Sequence, residues 1–115
     1  MIVEDLKVLL ASSYSYSLKA QYFHWNVEGR SFSQLHEFFG DVYHEVYDSI
    51  DTNAELIRQL DSYAPGSYNR FRELSTVADQ TKVPRASMMI EELLEDTNKM
   101  LDLTKRMFTV AEQEN

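Results

Sequence analysis

Cysteine is absent from this chain of 115 residues, and only three glycines and two prolines occur in it. Without cysteine, neither a disulfide framework nor a thiolate metal site can form. A protein of many short strands needs many turns, which glycine and proline usually supply, so their scarcity favours helices. No stretch approaches the roughly 20 consecutive apolar residues that span a membrane as a helix. The sequence therefore predicts one all-α domain over residues 1–115, with no membrane-spanning segment.

Basic residues are also few, with 11 lysines and arginines against 19 aspartates and glutamates. The resulting net charge of −8 repels the phosphate backbone of nucleic acids, which argues against DNA binding by the body of the fold. The same charge attracts cations toward carboxylate-lined sites. The first residues, Met1–Asp5, lack the basic start and long apolar run of a signal peptide, so we expect a cytoplasmic location.

Apolar residues recur at helical spacing in the first half of the chain. One helix is predicted over residues 3–28, and Gly29 is the glycine that commonly follows a helix end. A second long helix is predicted over about residues 32–60. Ser31 with Gln34 has the spacing of a capping box at the start of that helix.

The second half begins with a break at Pro65-Gly66, and residues 68–74 predict a short helix in a crossing connection. Pro84 suits the first position of a third long helix that runs to about residue 112. The layout is that of an antiparallel helix bundle. A four-helix bundle needs one more long helix, which we expect to be absent from this chain.

The predicted helices also predict which side chains are buried. The core candidates are Leu6, Leu9, Leu10, Leu18 and Phe23 in the first helix, and Ile90, Leu93, Leu94, Met100, Leu101, Met107, Phe108 and Ala111 in the third. The acidic run Glu91-Glu92 and Glu95-Asp96 is interpreted as a solvated helix face. The four methionines of the third helix, Met88, Met89, Met100 and Met107, are interpreted as core fillers.

The candidates for chemistry are His24, His36, Asp51 and Glu55. Asp51 and Glu55 are four residues apart, so they project from one face of the second helix, near its apolar stripe. Carboxylates at such an interface need partners, and a metal ion can supply them. His44 lies one helical turn after Asp41, and we interpret it as a solvated histidine or one near a dimer axis.

Geometry restricts how these candidates can meet. His36 and Asp51 are fifteen residues apart on one helix, or about 22 Å at 1.5 Å per residue. Metal ligands must lie within about 2–2.5 Å of the ion. Two copies of the helix, crossing antiparallel about a two-fold axis near residues 44–46, would bring His36 of one copy beside Asp51 and Glu55 of the other. Such a dimer holds two sites, and the mixed nitrogen and oxygen ligands suit iron better than calcium or magnesium.

The same residues carry a resemblance to a known family. The segments are His24-Trp25-Asn26-Val27, Gly29, Phe32, Leu35-His36-Glu37 and Asp51-Thr52-Asn53-Ala54-Glu55-Leu56-Ile57, with a looser match at Pro65-Gly66-Ser67 and Glu73-Leu74-Ser75. Together they resemble the signature of the Dps miniferritins (DNA-binding proteins from starved cells), which belong to the ferritin-like superfamily.

The resemblance implies a ferritin-like helix bundle and a shell of twelve subunits built from two-fold dimers. It implies a ferroxidase, which oxidises Fe(II) with hydrogen peroxide or oxygen, stores ferric iron and so limits peroxide damage. The implied iron ligands are His24 and His36 of one subunit with Asp51 and Glu55 of its two-fold partner. Trp25 matches the tryptophan that lines this site.

The sequence departs from the family pattern in three places. Gly40 stands where the family has an aspartate, and the neighbouring Asp41 lies about 100° further round the helix. The lysine-rich N-terminal tail of the family is missing, since residues 1–30 hold only Lys7, Lys19 and Arg30 as basic side chains. The third departure is that the fourth long helix of the family is expected to be absent from this chain.

Two other functions remain open at this point. One is a structural Dps-like assembly, or a DNA-protecting protein, whose metal site is impaired by Gly40. The other is a metal-free helical bundle that acts as a binding module, which would make the spacing of the histidines and carboxylates a coincidence.

Overall fold

The computed structural model describes residues 2–114, and every regular element within that range is an α-helix. The helices are α1 (Ile2–Asn26), α2 (Phe32–Asp48), α3 (Ile50–Gln59), α4 (Tyr68–Leu74) and α5 (Ala86–Glu114). They form an elongated body of 50 × 26 × 21 Å in which α1 contacts each of the other four. The predicted all-α bundle is confirmed. Within residues 2–114, none of the helices is long and apolar enough to cross a membrane.

The long helix predicted over residues 32–60 is wrong as one uninterrupted element, because Ser49 separates α2 from α3. The backbone of Ser49 stays helical, with φ −82° and ψ −13°. Its hydroxyl donates to the carbonyl of Val46 at 2.6 Å, while the bond from Asn53 N to Ser49 O is long at 3.4 Å. A serine hydroxyl that competes with the backbone in this way weakens a helix locally.

The predicted start signals of α2 and α5 are also wrong. Ser31 has φ −97° and ψ 24°, outside the extended conformation of a capping residue, and its side chain makes no cap bond. Ser67 is extended, at φ −118° and ψ 154°, and its hydroxyl accepts from Arg70 N before α4. At α5, the carbonyl of Arg85 accepts the first helical bonds, so Pro84 lies two residues before the first helical residue, Ala86.

The core consists of two apolar clusters along α1. One surrounds Phe23 and Phe39, whose ring centroids are 5.9 Å apart, and the other surrounds Leu10 and Ile57. Leu6, Leu10 and Phe23 are buried as predicted, and Leu9 is half-buried. The prediction for Leu18 is wrong, since 53% of it is exposed. Leu18 faces a groove beside α4 and the loop after it.

Only part of the predicted apolar face of α5 is buried. Leu93 and Met107 are buried and Met100 is half-buried, as expected, and Met89 and Leu103 complete the buried face. The prediction is wrong for the remaining residues, which are exposed: Ile90, Leu94, Leu101, Phe108 and Ala111. The apolar residues of α5 occupy two faces, and α1, its main packing partner within residues 2–114, covers one of them.

A buried charge cluster ties α1 to α5. The ammonium of Lys19 donates to Asp96 Oδ2 and to the carbonyl of Ala78, both at 2.8 Å, and lies 3.2 Å from Glu92 Oε1. Two hydrogen bonds and a further ion pair therefore hold the ammonium. Only 6% of Lys19 and 2% of Asp96 is exposed. The acidic run is thus only partly a solvated face, because Asp96 and the half-buried Glu92 bind Lys19.

Lys19→Met is expected to lower the free energy of unfolding by about 3–5 kcal/mol, because it leaves Asp96 buried without its cation. Lys99→Met is the matched control, since Lys99 pairs with Glu95 at 3.8 Å on the surface and its loss should cost less than about 1 kcal/mol. Denaturant unfolding followed by circular dichroism measures both. Equal losses in the two variants would contradict the assignment.

Candidate metal centre

His24 and His36 come together at the turn between α1 and α2. His24 lies near the end of α1 and His36 in the second turn of α2. Gly29 allows the chain to reverse between them, with φ +108°, a conformation that glycine adopts readily. The two imidazole rings stack with centroids 3.9 Å apart and planes 15° from parallel. Both side chains are half-buried.

Each histidine is held by the backbone of the other. Nδ1 of His24 lies 2.6 Å from the carbonyl oxygen of His36, and Nδ1 of His36 lies 2.7 Å from that of His24. A carbonyl oxygen can only accept, so both Nδ1 atoms carry the hydrogen. In the neutral rings, each Nε2 then keeps a free lone pair. A histidine fixed in this way through one nitrogen is typical of a metal ligand that binds through the other.

The stacked rings cannot bind one metal ion together. The lone pair of an imidazole nitrogen lies in the plane of its ring, and the metal lies about 2.0–2.2 Å along it. Planes that are nearly parallel and stacked 3.9 Å apart do not converge on a shared point at that distance. In this conformation, the two histidines therefore present their Nε2 atoms to different positions.

Aromatic side chains surround this pair. Phe32 stacks on His36 with centroids 5.2 Å apart, and Tyr43 lies 5.5 Å from His24. Trp25 is 60% exposed and lines the groove beside α4. Sequence reasoning named Trp25 but missed Phe32 and Tyr43 as neighbours. The four-residue spacing of Phe32 and His36 on one helix is the signal that could have identified Phe32.

Gly40 packs directly against His24. A Cβ atom built at position 40 would lie 3.0 Å from both Cε1 and Nδ1 of the His24 ring. Gly40 itself is buried in the interior of α2. The neighbouring Asp41 is exposed, as the difference of about 100° around the helix predicts.

Asp51 and Glu55 are exposed on α3 and are not brought to the histidines within the chain. Among residues 2–114, no group of three or more histidine, aspartate or glutamate side chains is placed to hold a metal ion. The structure thus brings together two of the four predicted ligands. The remaining two lie on α3, which follows α2 after the break at Ser49.

An open groove lies on the outer side of α1 and α2. It encloses about 550 Å³ and is lined by residues that include Leu18 of α1 and Tyr43, His44 and Tyr47 of α2. His44 stacks on Tyr43 with ring centroids 4.1 Å apart. The groove therefore lies where the sequence geometry expects a two-fold axis, near residues 44–46.

Comparisons with known proteins extend over most of the chain. The model of the ferritin-like domain family matches residues 3–115. A low temperature-induced protein of Nostoc is 33% identical over 101 residues, which are 87% of this chain and 56% of that protein, so the chain spans little more than half of that relative. The DNA protection during starvation protein of Helicobacter pylori is 32% identical, over 96% of this chain and 78% of its own length.

Solved structures show the same likeness. Dps from Staphylococcus aureus superposes with a TM-score of 0.93 and 28% identity, over 97% of this chain and 75% of that one. A Dps protein from Bacillus brevis superposes with a TM-score of 0.94 and 26% identity, over 98% of this chain and 76% of that one.

The reciprocal hydrogen bonds predict the tautomers of the two histidines. In long-range ¹H–¹⁵N spectra recorded at a pH where the histidine rings are neutral, His24 and His36 are expected to carry hydrogen on Nδ1 and to show an unprotonated Nε2. His44 is the internal control, because no hydrogen bond to its ring is found within residues 2–114, and it should show the mixed tautomers of free imidazole. Hydrogen on Nε2 of His24 or His36 would contradict the geometry.

Proposed function

Because this chain belongs to the ferritin-like family, as a Dps-type miniferritin, we propose that it oxidises Fe(II) at a site shared between two subunits and stores the ferric product. Iron is the substrate, and hydrogen peroxide or oxygen is the oxidant. The activity would limit peroxide damage by removing both reactants. With peroxide, two Fe(II) ions each lose one electron, and the two electrons with two protons convert one H₂O₂ into two waters.

The observation that carries this proposal is the mutual fixing of His24 and His36. Their Nδ1 atoms are occupied by backbone carbonyls, at 2.6 and 2.7 Å, and their Nε2 atoms remain available. The two imidazoles would each supply one nitrogen ligand, at two different metal positions, and imidazole suits iron.

The proposed remaining ligands are Asp51 and Glu55 of the two-fold partner. Their exposure on α3 leaves them free to enter a site on another subunit. Their two negative charges would stabilise Fe(III) more than Fe(II), since the attraction grows with the charge of the ion. Oxidation would therefore be favoured where nitrogen and carboxylate ligands meet.

The groove of Leu18, Tyr43, His44 and Tyr47 supports a dimer through this face. Leu18 and Tyr47 are large apolar residues that are more than half exposed, and exposed apolar surface of this kind is typical of subunit interfaces. An antiparallel copy in the groove would bring each pair of histidines to the carboxylates of the other subunit. We propose that such dimers assemble into a twelve-subunit shell in the cytoplasm.

The alternative is an assembly that protects DNA without oxidising iron. It is favoured by the names of relatives, such as the nutrient stress-induced DNA-binding protein of Nostoc, which is 31% identical over 112 residues. The net charge of −8 opposes it, because an acidic surface repels DNA. We therefore favour iron oxidation.

A complementation experiment tests whether the site is shared. One subunit carries His24→Ala with His36→Ala, and the other carries Asp51→Ala with Glu55→Ala. Each variant alone is expected to lose iron oxidation. A mixed dimer regains one intact site, formed by the histidines of the second variant and the carboxylates of the first. Differently tagged subunits are co-expressed and purified together, and Fe(III) absorbance is followed after peroxide is added to Fe(II).

About half of the wild-type rate per dimer is the expected result for the mixed species. Glu91→Ala with Glu95→Ala is the control, because these exposed acids have the same four-residue spacing on α5 and should leave the rate unchanged. Inactive mixed dimers would contradict a shared site. A wild-type protein that does not oxidise iron would overturn the proposed function itself.

Leu18→Asp is expected to convert the assembly into monomers of unchanged helicity, because it places a charge in the proposed dimer interface. Val83→Asp is the control, since Val83 is similarly exposed but lies in the loop before α5. Sedimentation velocity measures the mass and circular dichroism the helicity. An intact assembly in the Leu18→Asp variant would place the subunit interface elsewhere.

A further inference from the structure

We propose that Gly40 is a positioning residue for His24, and that its lack of a side chain permits the locked pair of histidines. This inference rests on the proposed function for its biological meaning, but the geometry behind it is independent of iron. In this role Gly40 is more than the position of a lost aspartate ligand. Its backbone packs against the ring of His24, which is one of the two proposed nitrogen ligands.

The contact is unusually close. A Cβ at position 40 would stand 3.0 Å from both Cε1 and Nδ1 of His24. That separation is shorter than an ordinary van der Waals contact between carbon atoms, which is about 3.5–4.0 Å. A side chain at this position would therefore require the His24 ring to shift by a few tenths of an ångström.

The His24 ring has little freedom to give way. Its Nδ1 is bound to the carbonyl of His36 at 2.6 Å, and one face of the ring stacks on His36 at 3.9 Å. Tyr43 lies 5.5 Å away on the same helix as Gly40. A movement of the ring by a few tenths of an ångström would change the geometry of the hydrogen bond that fixes its tautomer.

Glycine at position 40 is also unfavourable for the helix in which it lies. Glycine in a helix interior is less favourable than alanine, because the backbone loses more freedom on folding. Gly40 is buried inside α2, with helical residues on both sides, and its backbone needs no conformation that is special to glycine. The close approach of the His24 ring explains why position 40 holds glycine although glycine is a poor helix former.

The consequence lies in the nitrogen that His24 offers. With Gly40 beneath it, the ring keeps its hydrogen on Nδ1 and presents Nε2 as the ligand. A displaced ring would lose that constraint and would sample both tautomers and several orientations. Groups that orient a metal ligand in this way typically contribute about ten- to hundredfold to metal affinity.

The test uses Gly40→Ala and Gly40→Val in the full assembled protein, with Gly66→Ala as the control. Gly66 has no atom within 4 Å of a built Cβ and no positive φ, so alanine fits there without contact. Histidine ring ¹⁵N spectra of the metal-free protein report the tautomer of His24. Calorimetric titration with Co(II) as a redox-inert probe reports affinity, and thermal melting is recorded with and without His24→Ala.

Gly40→Ala is expected to shift the ring signals of His24 and His36 and to weaken Co(II) binding about tenfold, with a larger loss for Gly40→Val. It should leave the melting temperature unchanged or lower, but should raise it by about 4 °C in the His24→Ala background, where the ring is gone. Gly66→Ala should change neither the ring signals nor Co(II) affinity.

Unchanged ring signals in Gly40→Ala, or the same rise in melting temperature in both backgrounds, would overturn the proposal. The result is separable from the function of the site. If the wild-type protein fails to oxidise iron but Gly40→Ala still shifts the His24 signals, the positioning role stands and the ferroxidase proposal falls.

Discussion

A straight helix holds its side chains at fixed distances from one another, and this constraint decides which side chains of the molecule can meet. Residues fifteen positions apart remain about 22 Å apart, so they can never meet within one helix. Side chains that are far apart in sequence can come into contact only where two helices pack together or where a turn reverses the chain. His24 and His36 flank such a turn and therefore meet, whereas Asp51 and Glu55 lie far from it along α2 and α3. A complete ligand set made of these four side chains would accordingly require more than one copy of the chain, as the proposed function assumes.

The sequence predicted those features of the fold that depend on periodicity and on strong punctuation. The helix pattern located α1, α4 and the main span of α5, and Gly29 marked the reversal. It failed at Ser49, where a single hydroxyl competes with the backbone, because this competition has no periodic signature. It also merged the two apolar faces of α5, since a count of apolar residues does not reveal which neighbour covers each face.

The candidate site was predictable to a similar depth. Residue types and spacing predicted His24 and His36 as one part of the site, and the structure brings these two side chains together. The contribution of a second subunit stays a prediction. The carbonyl partners of their rings could not be foreseen, because these bonds depend on the angle at which two helices meet. The sequence alone marks Gly40 as the site of a missing aspartate, whereas its close approach to His24 supports a positioning role. The sequence shows that position 40 has no side chain, but only the packed structure shows that the His24 ring lies where a side chain would be.

Lys19 and its acceptors have a consequence for the order of assembly of the chain. Lys19 and Asp96 are 77 residues apart, and the carbonyl of Ala78 in the connecting segment completes the cluster. Contacts between such distant positions form only after a large loss of chain entropy, so they belong to the later steps of folding. Glu92 and Asp96 are one helical turn apart, so a shift of α5 by one turn would leave Lys19 with one carboxylate and remove the other. The cluster therefore favours the native alignment of α5, in which the ammonium of Lys19 contacts both carboxylates and the carbonyl of Ala78.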